Sequence, residues 1–191
     1  SLMMFDCFHV CMNKGTKEEI KDKAPFKSIG KNKWLGEGFY FWTDSDYWAI
    51  MWKNTAHHGN GVIIEYHVSI EKEKLLDLVG NVKQQIEFYS AWKKLSIKLG
   101  EKINNISAYI MLLREAEKHN PGSFSYWGVR AKDANSSVKH IDFIERDNEK
   151  DKRTIPYSSF YERHQLCVYE EFKEYCVTFS MFTYPKSFCY N

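Results

Sequence analysis

No apolar run in this chain approaches the roughly 18 to 20 residues that a membrane-spanning helix needs. There is no signal-peptide pattern either. A cytoplasmic location without a membrane partner is therefore the expectation. Neither sign of charge dominates, with 27 Lys and Arg against 25 Asp and Glu. The lysine-bearing stretches at 21–33 and 93–102 are interrupted by acids or apolar residues and read as solvated faces. A duplex-DNA reader gathers its basic residues on one face, so protein is the better-supported macromolecular partner than nucleic acid.

The five cysteines, Cys7, Cys11, Cys167, Cys176 and Cys189, form no C-x-x-C pair and are odd in number. That pattern fits neither a zinc site with paired ligands nor a secreted disulfide framework. Cys7 and Cys11 flank His9, and this trio and the tandem His57-His58, which reads first as a solvated turn, are the places where a metal could be considered. Small apolar residues of a reduced core are the favoured reading, and no metal is expected. Also missing are G-x-S-x-G, G-x-x-x-x-G-K-[ST], H-E-x-x-H and G-x-G-x-x-G. Nucleophilic chemistry through Cys7 or Cys167 with His9 or His164 is a minor alternative, because both thiols lie in apolar strand-like segments. The chain has no internal repeats.

What the chain has in excess is aromatic residues, 16% of the total, which serve equally for a core and for a ligand pocket. Its 191 residues suit one domain. Residues 3–11 predict a buried strand carrying His9. Thr16 and Glu19 form a capping-box pattern opening a helix over 17–24, before Pro25. Trp34-Leu35-Gly36-Glu37-Gly38 reads as a tight turn into a strand, Phe39-Tyr40-Phe41-Trp42. Asp44-Ser45-Asp46 can cap a helix bearing Trp48, Met51 and Trp52. His57-His58-Gly59 is a turn, and 62–69 a strand. Helical spacing takes over at 81–99 and 104–118 and stops at Pro121-Gly122. Strand-like pieces follow at 124–130, 138–144, 164–169 and 175–183, with a highly charged surface loop at 145–153. Strict alternation of strand and helix is absent, so the expected class is α+β.

The order of a first-strand His9, then Gly36-Glu37-Gly38-Phe39-Tyr40-Phe41, then a late strand opening His164-Gln165-Leu166-Cys167-Val168 resembles the ADP-ribosyltransferase superfamily. The likeness is greatest to the branch with a His–Tyr–Glu triad that includes diphtheria toxin and the poly(ADP-ribose) polymerases. Within it, small bacterial and phage-type domains are most similar, through W-L-G-x-G-x-Y-F-W and the Ala-containing helix Asp46-Tyr47-Trp48-Ala49-Ile50-Met51-Trp52. Val129-Arg130 and the Gln165–Val168 strand add to that likeness. The resemblance covers 1–70 well, 124–170 loosely, and the helical middle not at all.

It implies a split β-sheet core with a helical insertion at about 80–118, and NAD as co-substrate. His9 would hold the adenosine-side ribose, the main chain of Val10 the nicotinamide amide, and Tyr40 would stack on the nicotinamide ring. Gly38 and Phe39 belong to the same motif. Met51 or Trp52 would close the nicotinamide slot, and Arg130 would meet the pyrophosphate. Tyr157, Tyr161 and Glu162 fall in the substrate-recognition loop. The departure is Gln165, which stands where the superfamily carries its third-motif Glu. An amide can hold a ribose hydroxyl but cannot act as a general base; Glu162 is a candidate substitute.

A transferase passing one ADP-ribose to a macromolecule, protein rather than nucleic acid, is thus the leading expectation. The alternative is a module of the same fold that binds NAD, ADP-ribose or a protein partner without turnover. A phosphotransferase acting on RNA ends ranks third, since its Arg–His–Arg set is absent. The look-alikes imply a toxin or prophage-defence setting, in which a cognate inhibitor protein would be a further partner.

Overall fold

A nearly continuous apolar run at the start of the chain, broken only by Asp6 and His9, makes a long first strand. In the computed structural model, which describes residues 1–28, 30, 33–132, 140–141, 155–156 and 163–190, β1 runs Leu2–Met12. The capping box forms as its residue types require: Glu19 N–H donates to Thr16 Oγ1 and Thr16 N–H to the Glu19 carboxylate, opening α1 at Lys17–Lys23. Next come β2 (Phe39–Thr43), α2 (Tyr47–Ala56), β3 (Gly61–Glu71) and β4 (Leu75–Asp77). At the start of α2 it is Ser45, not Asp46, whose side chain accepts a main-chain N–H, that of Tyr47.

The helical middle is α3 (Val82–Leu99) and α4 (Ile106–His119), each N-capped by an asparagine, Asn81 and Asn105. The strand expected at 124–130 begins later, as β5 (Gly128–Lys132). Phe124 is instead buried in the turn that follows α4, where Glu117 accepts the main-chain N–H groups of Gly122 and Phe124. Short strands β6 (His140–Ile141) and β7 (Ile155–Pro156) pair with each other. The expected strand 138–144 and charged loop 145–153 otherwise lie outside the described residues. The chain ends through β8 (His164–Val168), the single turn α5 (Lys173–Cys176) and β9 (Val177–Tyr184).

Seven strands form one mixed sheet in the order β4-β5-β8-β2-β1-β3-β9. Only β4 and β5 run parallel; the other described pairs are antiparallel, so the class is α+β. Period-two alternation sends Cys7, Cys11, Phe41, Ile64 and Val168 into a core on one face, closed by α1 and β9. The opposite face carries two clusters. Phe8, Trp42 and Ile63 pack on Trp48 and Ala49 of α2, while Tyr40, Val129 and Cys167 pack on Ile110 of α4. Among the described residues no helix is long and apolar enough to cross a membrane.

Candidate functional site

The site arises where the centre of the sheet comes apart. β1 stays paired with β3 along its whole length, from Leu2 opposite Glu71 to Met12 opposite Gly61. β2 stays paired with β8 from Phe39 opposite Val168 to Trp42 opposite Gln165. Between them, the β1–β2 ladder holds only Cys7 opposite Thr43 and Phe8 opposite Trp42. Beyond Phe8 the two strands diverge like a fork. Successive residues of a strand turn their N–H and C=O groups to opposite neighbours. One of Val10 and Cys11 therefore points its main-chain groups into the fork, past the end of the ladder.

His9 spans the fork. Phe26 N–H donates to His9 Nε2 at 3.1 Å, so Nε2 carries no proton. Nδ1 therefore carries it and donates to the Tyr40 carbonyl at 3.0 Å, in place of a strand–strand bond. Burial without a counter-charge lowers the His9 pKa from 6.5 to about 4. The imidazole is neutral at pH 7 and both nitrogens are engaged.

Tyr40 is held as firmly at its other end. Its hydroxyl accepts the Leu35 N–H at 2.8 Å and donates to the Gly36 carbonyl, while Tyr169 donates to the Leu35 carbonyl. Burial pushes the Tyr40 phenol well above its usual pKa. Both glycines of this turn are accounted for within the fold. Gly36 sits at φ +94°, in the left-handed region. A Cβ on Gly38 would lie 2.7 Å from both Cys167 Sγ and the Val168 carbonyl of β8.

The fork opens into a cleft of about 590 Å³. His9, Val10, Tyr40, Trp52 and Gln165, five of the residues singled out in the sequence, line it together. Trp34 Nε1 donates to Gln165 Oε1 at 2.6 Å. Because an indole N–H only donates, this bond orients the amide and leaves its NH₂ group as the free donor. Trp34, Trp42, Trp52 and Phe26 supply aromatic wall.

Four residues expected at the site are elsewhere. Phe39 is buried in the core of the α1 face, and Gly38 is pressed against β8. Met51 packs on the Trp42–Trp48 cluster. Arg130 forms an ion pair with Asp44 at 2.6 Å and contacts His164. None of these four is among the residues lining the cleft. Tyr157, Tyr161 and Glu162 lie outside the described residues. The guanidinium in the cleft is that of Arg163, buried and set 5.4 Å over the Trp48 ring. Its sequence signal was its place directly before the His164-Gln165 strand.

Charge sets the cleft apart. Its described lining carries Lys14, Lys23, Lys27 and Arg163, and no Asp or Glu, in a chain whose charges nearly balance. Lys27 is paired with Glu170 at 2.9 Å. Lys14 and Lys23 are exposed. His57 stands at the margin as well, its pKa lowered by burial and then by His58. Such a site attracts anions and offers flat apolar surface to a ring.

Cys7, Cys11 and Cys167, the thiols nearest the cleft, are buried and free. Burial pushes the thiols of Cys11 and Cys167 up to about 11 and about 12, and that of Cys7 higher still. Among the described residues no group of three or more His, Cys, Asp or Glu side chains is arranged to hold a metal. Comparison of the chain with protein-family models, with curated proteins and with solved structures returned no match.

Proposed function

We propose that this chain is an NAD-dependent mono-ADP-ribosyltransferase acting on a macromolecular acceptor, its sheet being the split core of that superfamily. One observation carries the reading: His9, Tyr40 and Gln165, from three distant segments, line a single cleft. The chemistry of the wall supports it. Aromatic side chains suit the nicotinamide and adenine rings, and Lys and Arg suit the pyrophosphate.

In the transfer, the bond from ribose C1′ to the nicotinamide nitrogen breaks, the electron pair leaves with nicotinamide, and an acceptor atom attacks C1′. Gln165 would donate its amide N–H to a ribose hydroxyl and so orient the sugar. It takes no proton from the acceptor, which must already be nucleophilic or be served by Glu162. His9 acts indirectly, by fixing the fork and the Phe26 segment, since its own nitrogens are engaged.

A second reading has its own support. The described lining holds no carboxylate to favour the positive charge that develops at C1′, which suits a module that binds NAD or ADP-ribose without turnover. Thermal-shift and nicotinamide-release measurements separate the two. A ligand at 100 times its Kd stabilises by about 2.7 kcal/mol. NAD should stabilise the wild type and not Trp52→Ala. Release that Gln165→Ala abolishes and Gln165→Glu raises would establish the transferase. Stabilisation without release, gained only in Gln165→Glu, would establish the binding module. No stabilisation at millimolar NAD would remove both.

A further inference from the structure

Helix α3 is fastened to the molecule along one side only. Phe88 and Trp92 pack on Tyr109 of α4, the Trp92 and Tyr109 rings stacked at 5.5 Å, and Trp92 Nε1 donates to the Ile103 carbonyl. Gln84 holds the first turn to the outer edge of β4, accepting the Asp77 N–H and donating to the Leu75 carbonyl. No residue of the helix is buried. Away from these contacts Val82, Ile86, Tyr89 and Ile97 are 64, 60, 62 and 80% exposed. At about 3.6 residues per turn these four and Lys93 fall within an arc of about 80°, turned roughly 120° from Phe88 and Trp92. Single exposed apolar residues need no explanation, but a stripe running the length of a helix marks a surface that meets an apolar medium.

The charge of the helix identifies the medium. α3 carries Lys83, Lys93, Lys94 and Lys98 against Glu87 alone, whose carboxylate lies 3.9 Å from the Lys83 ammonium. All four lysines are exposed. A second copy laid along the stripe would set lysine against lysine. Lys93 stands within the stripe itself, so a groove in a protein would have to bury its ammonium. At a bilayer surface the same side chain lays its stem on apolar tails and returns its ammonium to the headgroups. A tyrosine suits that depth for the same reason, its ring apolar and its hydroxyl wet.

We infer that the outer face of α3 docks on an anionic membrane surface. Val82, Ile86, Tyr89 and Ile97 enter the boundary between headgroups and acyl chains, and the four lysines meet the anionic headgroups. The helix lies along the bilayer and does not cross it; the lack of a long apolar run excludes spanning and leaves this mode open. The inference does not depend on what the cleft binds, since no residue of α3 lines it.

Flotation of the full chain with vesicles at low salt tests this, comparing phosphatidylcholine alone with phosphatidylcholine containing roughly one-third phosphatidylserine. The expected result is binding at least about tenfold tighter to the anionic vesicles, falling as salt is raised. Lys94→Gln/Lys98→Gln should weaken it by about fivefold per lysine. Ile86→Ser/Ile97→Ser should weaken it about tenfold or more at unchanged charge. All four positions are exposed, so both variants should keep the wild-type Tm. Absence of binding to the anionic vesicles overturns the inference and leaves an acidic protein as the occupant that the lysines suit. Equal binding to both kinds of vesicle overturns it as well. So does binding that survives the isoleucine substitutions, because charge alone or another surface would then be responsible. A dimer in sedimentation velocity that the isoleucine substitutions dissociate would assign the face to a second copy, and that too overturns it.

Discussion

Strand β2 has two edges that treat their neighbours oppositely. Toward β8 it is paired throughout, and Gly38 just before it lets the chains approach until a single carbon would collide with Cys167 and Val168. Toward β1 it is paired at two positions and then parts. The polar groups released there are met by His9, are taken up by the Lys27–Ser28 segment, whose Ser28 N–H donates to the Gly38 carbonyl, or face the cleft. The paired edge maximises main-chain bonding and close packing, and the open edge gives up both to hold a concavity. Stability and site are thus assigned to opposite edges of one strand, and substitutions on the two should separate cleanly.

The largest effect belongs to the paired edge. Gly38→Ala places a methyl 2.7 Å from a sulfur and a carbonyl oxygen, and the carbonyl belongs to a strand held in the ladder. Overpacking of this kind costs on the order of 3 kcal/mol, which in a chain of this size lowers Tm by roughly 6–12 °C. Val10→Ala, on the open edge, should cost only about 1 kcal/mol. Thermal unfolding of the two variants checks the ordering, and a wild-type Tm for Gly38→Ala would refute the tight approach.

Next comes the imidazole that spans the open edge. Its folded pKa, about 4, lies below the unfolded value of 6.5. Between those values the unfolded chain holds the proton and the folded chain does not, so stability is fully present above pH 6.5 and lost as pH falls toward 4. The loss amounts to about 3 kcal/mol for a group with these values. Denaturant titrations at pH 7 and pH 4.5 should show it in the wild type. His9→Gln, which can still donate and accept, should flatten that part of the profile; an unchanged slope would mean that His9 is not the buried neutral group described.

A smaller effect is expected at Trp34→Phe, which removes the donor to Gln165 Oε1 while keeping an aromatic wall. One such hydrogen bond contributes about 1 kcal/mol to stability. The more telling readout is function. Released from Trp34, the amide can rotate, so nicotinamide release should fall with little change in NAD affinity. Affinity falling in step with turnover would show that Trp34 holds ligand and not Gln165.

Much of this was legible in the residues because the signals were local. The Thr16/Glu19 box, the helical spacing of 81–99 and 104–118, and the strands about His9 and Tyr40 each rest on short-range pattern, and the structure has all of them. The fork is a property of pairing between residues far apart in sequence, Cys7 with Thr43 and Phe8 with Trp42, and no local pattern encodes where a ladder stops. For the same reason Phe39 and Gly38, adjacent in sequence to Tyr40, looked like pocket residues; strand alternation turns Phe39 to the other face, and Gly38 answers to β8. Arg130 looked free because Asp44, its partner, lies 86 residues away. The lysines were read as a solvated face. They are exposed, yet Lys23 and Lys27 also line the cleft, because the Phe26–His9 bond folds their segment against it.

The smallest effect on stability is the most informative about the site, and a second concavity makes the contrast. A hollow of about 400 Å³ beyond α4 also has three cations, Lys74, Arg114 and Lys118. There Glu117 and Glu171 offset two of the three, Arg114 is already bonded to both Glu171 oxygens, and Lys118 is paired with Glu115. That hollow has acids within its own lining, whereas the described lining of the cleft at the fork has none. Lys14→Gln should therefore leave Tm within about 0.5 kcal/mol of the wild type and weaken dinucleotide binding, with a shallower dependence on salt. Screening acts over about 10 Å at 0.1 M salt, so the difference between variant and wild type should shrink as salt is raised. Lys118→Gln at the other hollow should change neither affinity nor its salt dependence. If both substitutions weaken binding equally, the dinucleotide is responding to the net charge of the chain, and the cationic lining of the cleft is not what recognises it.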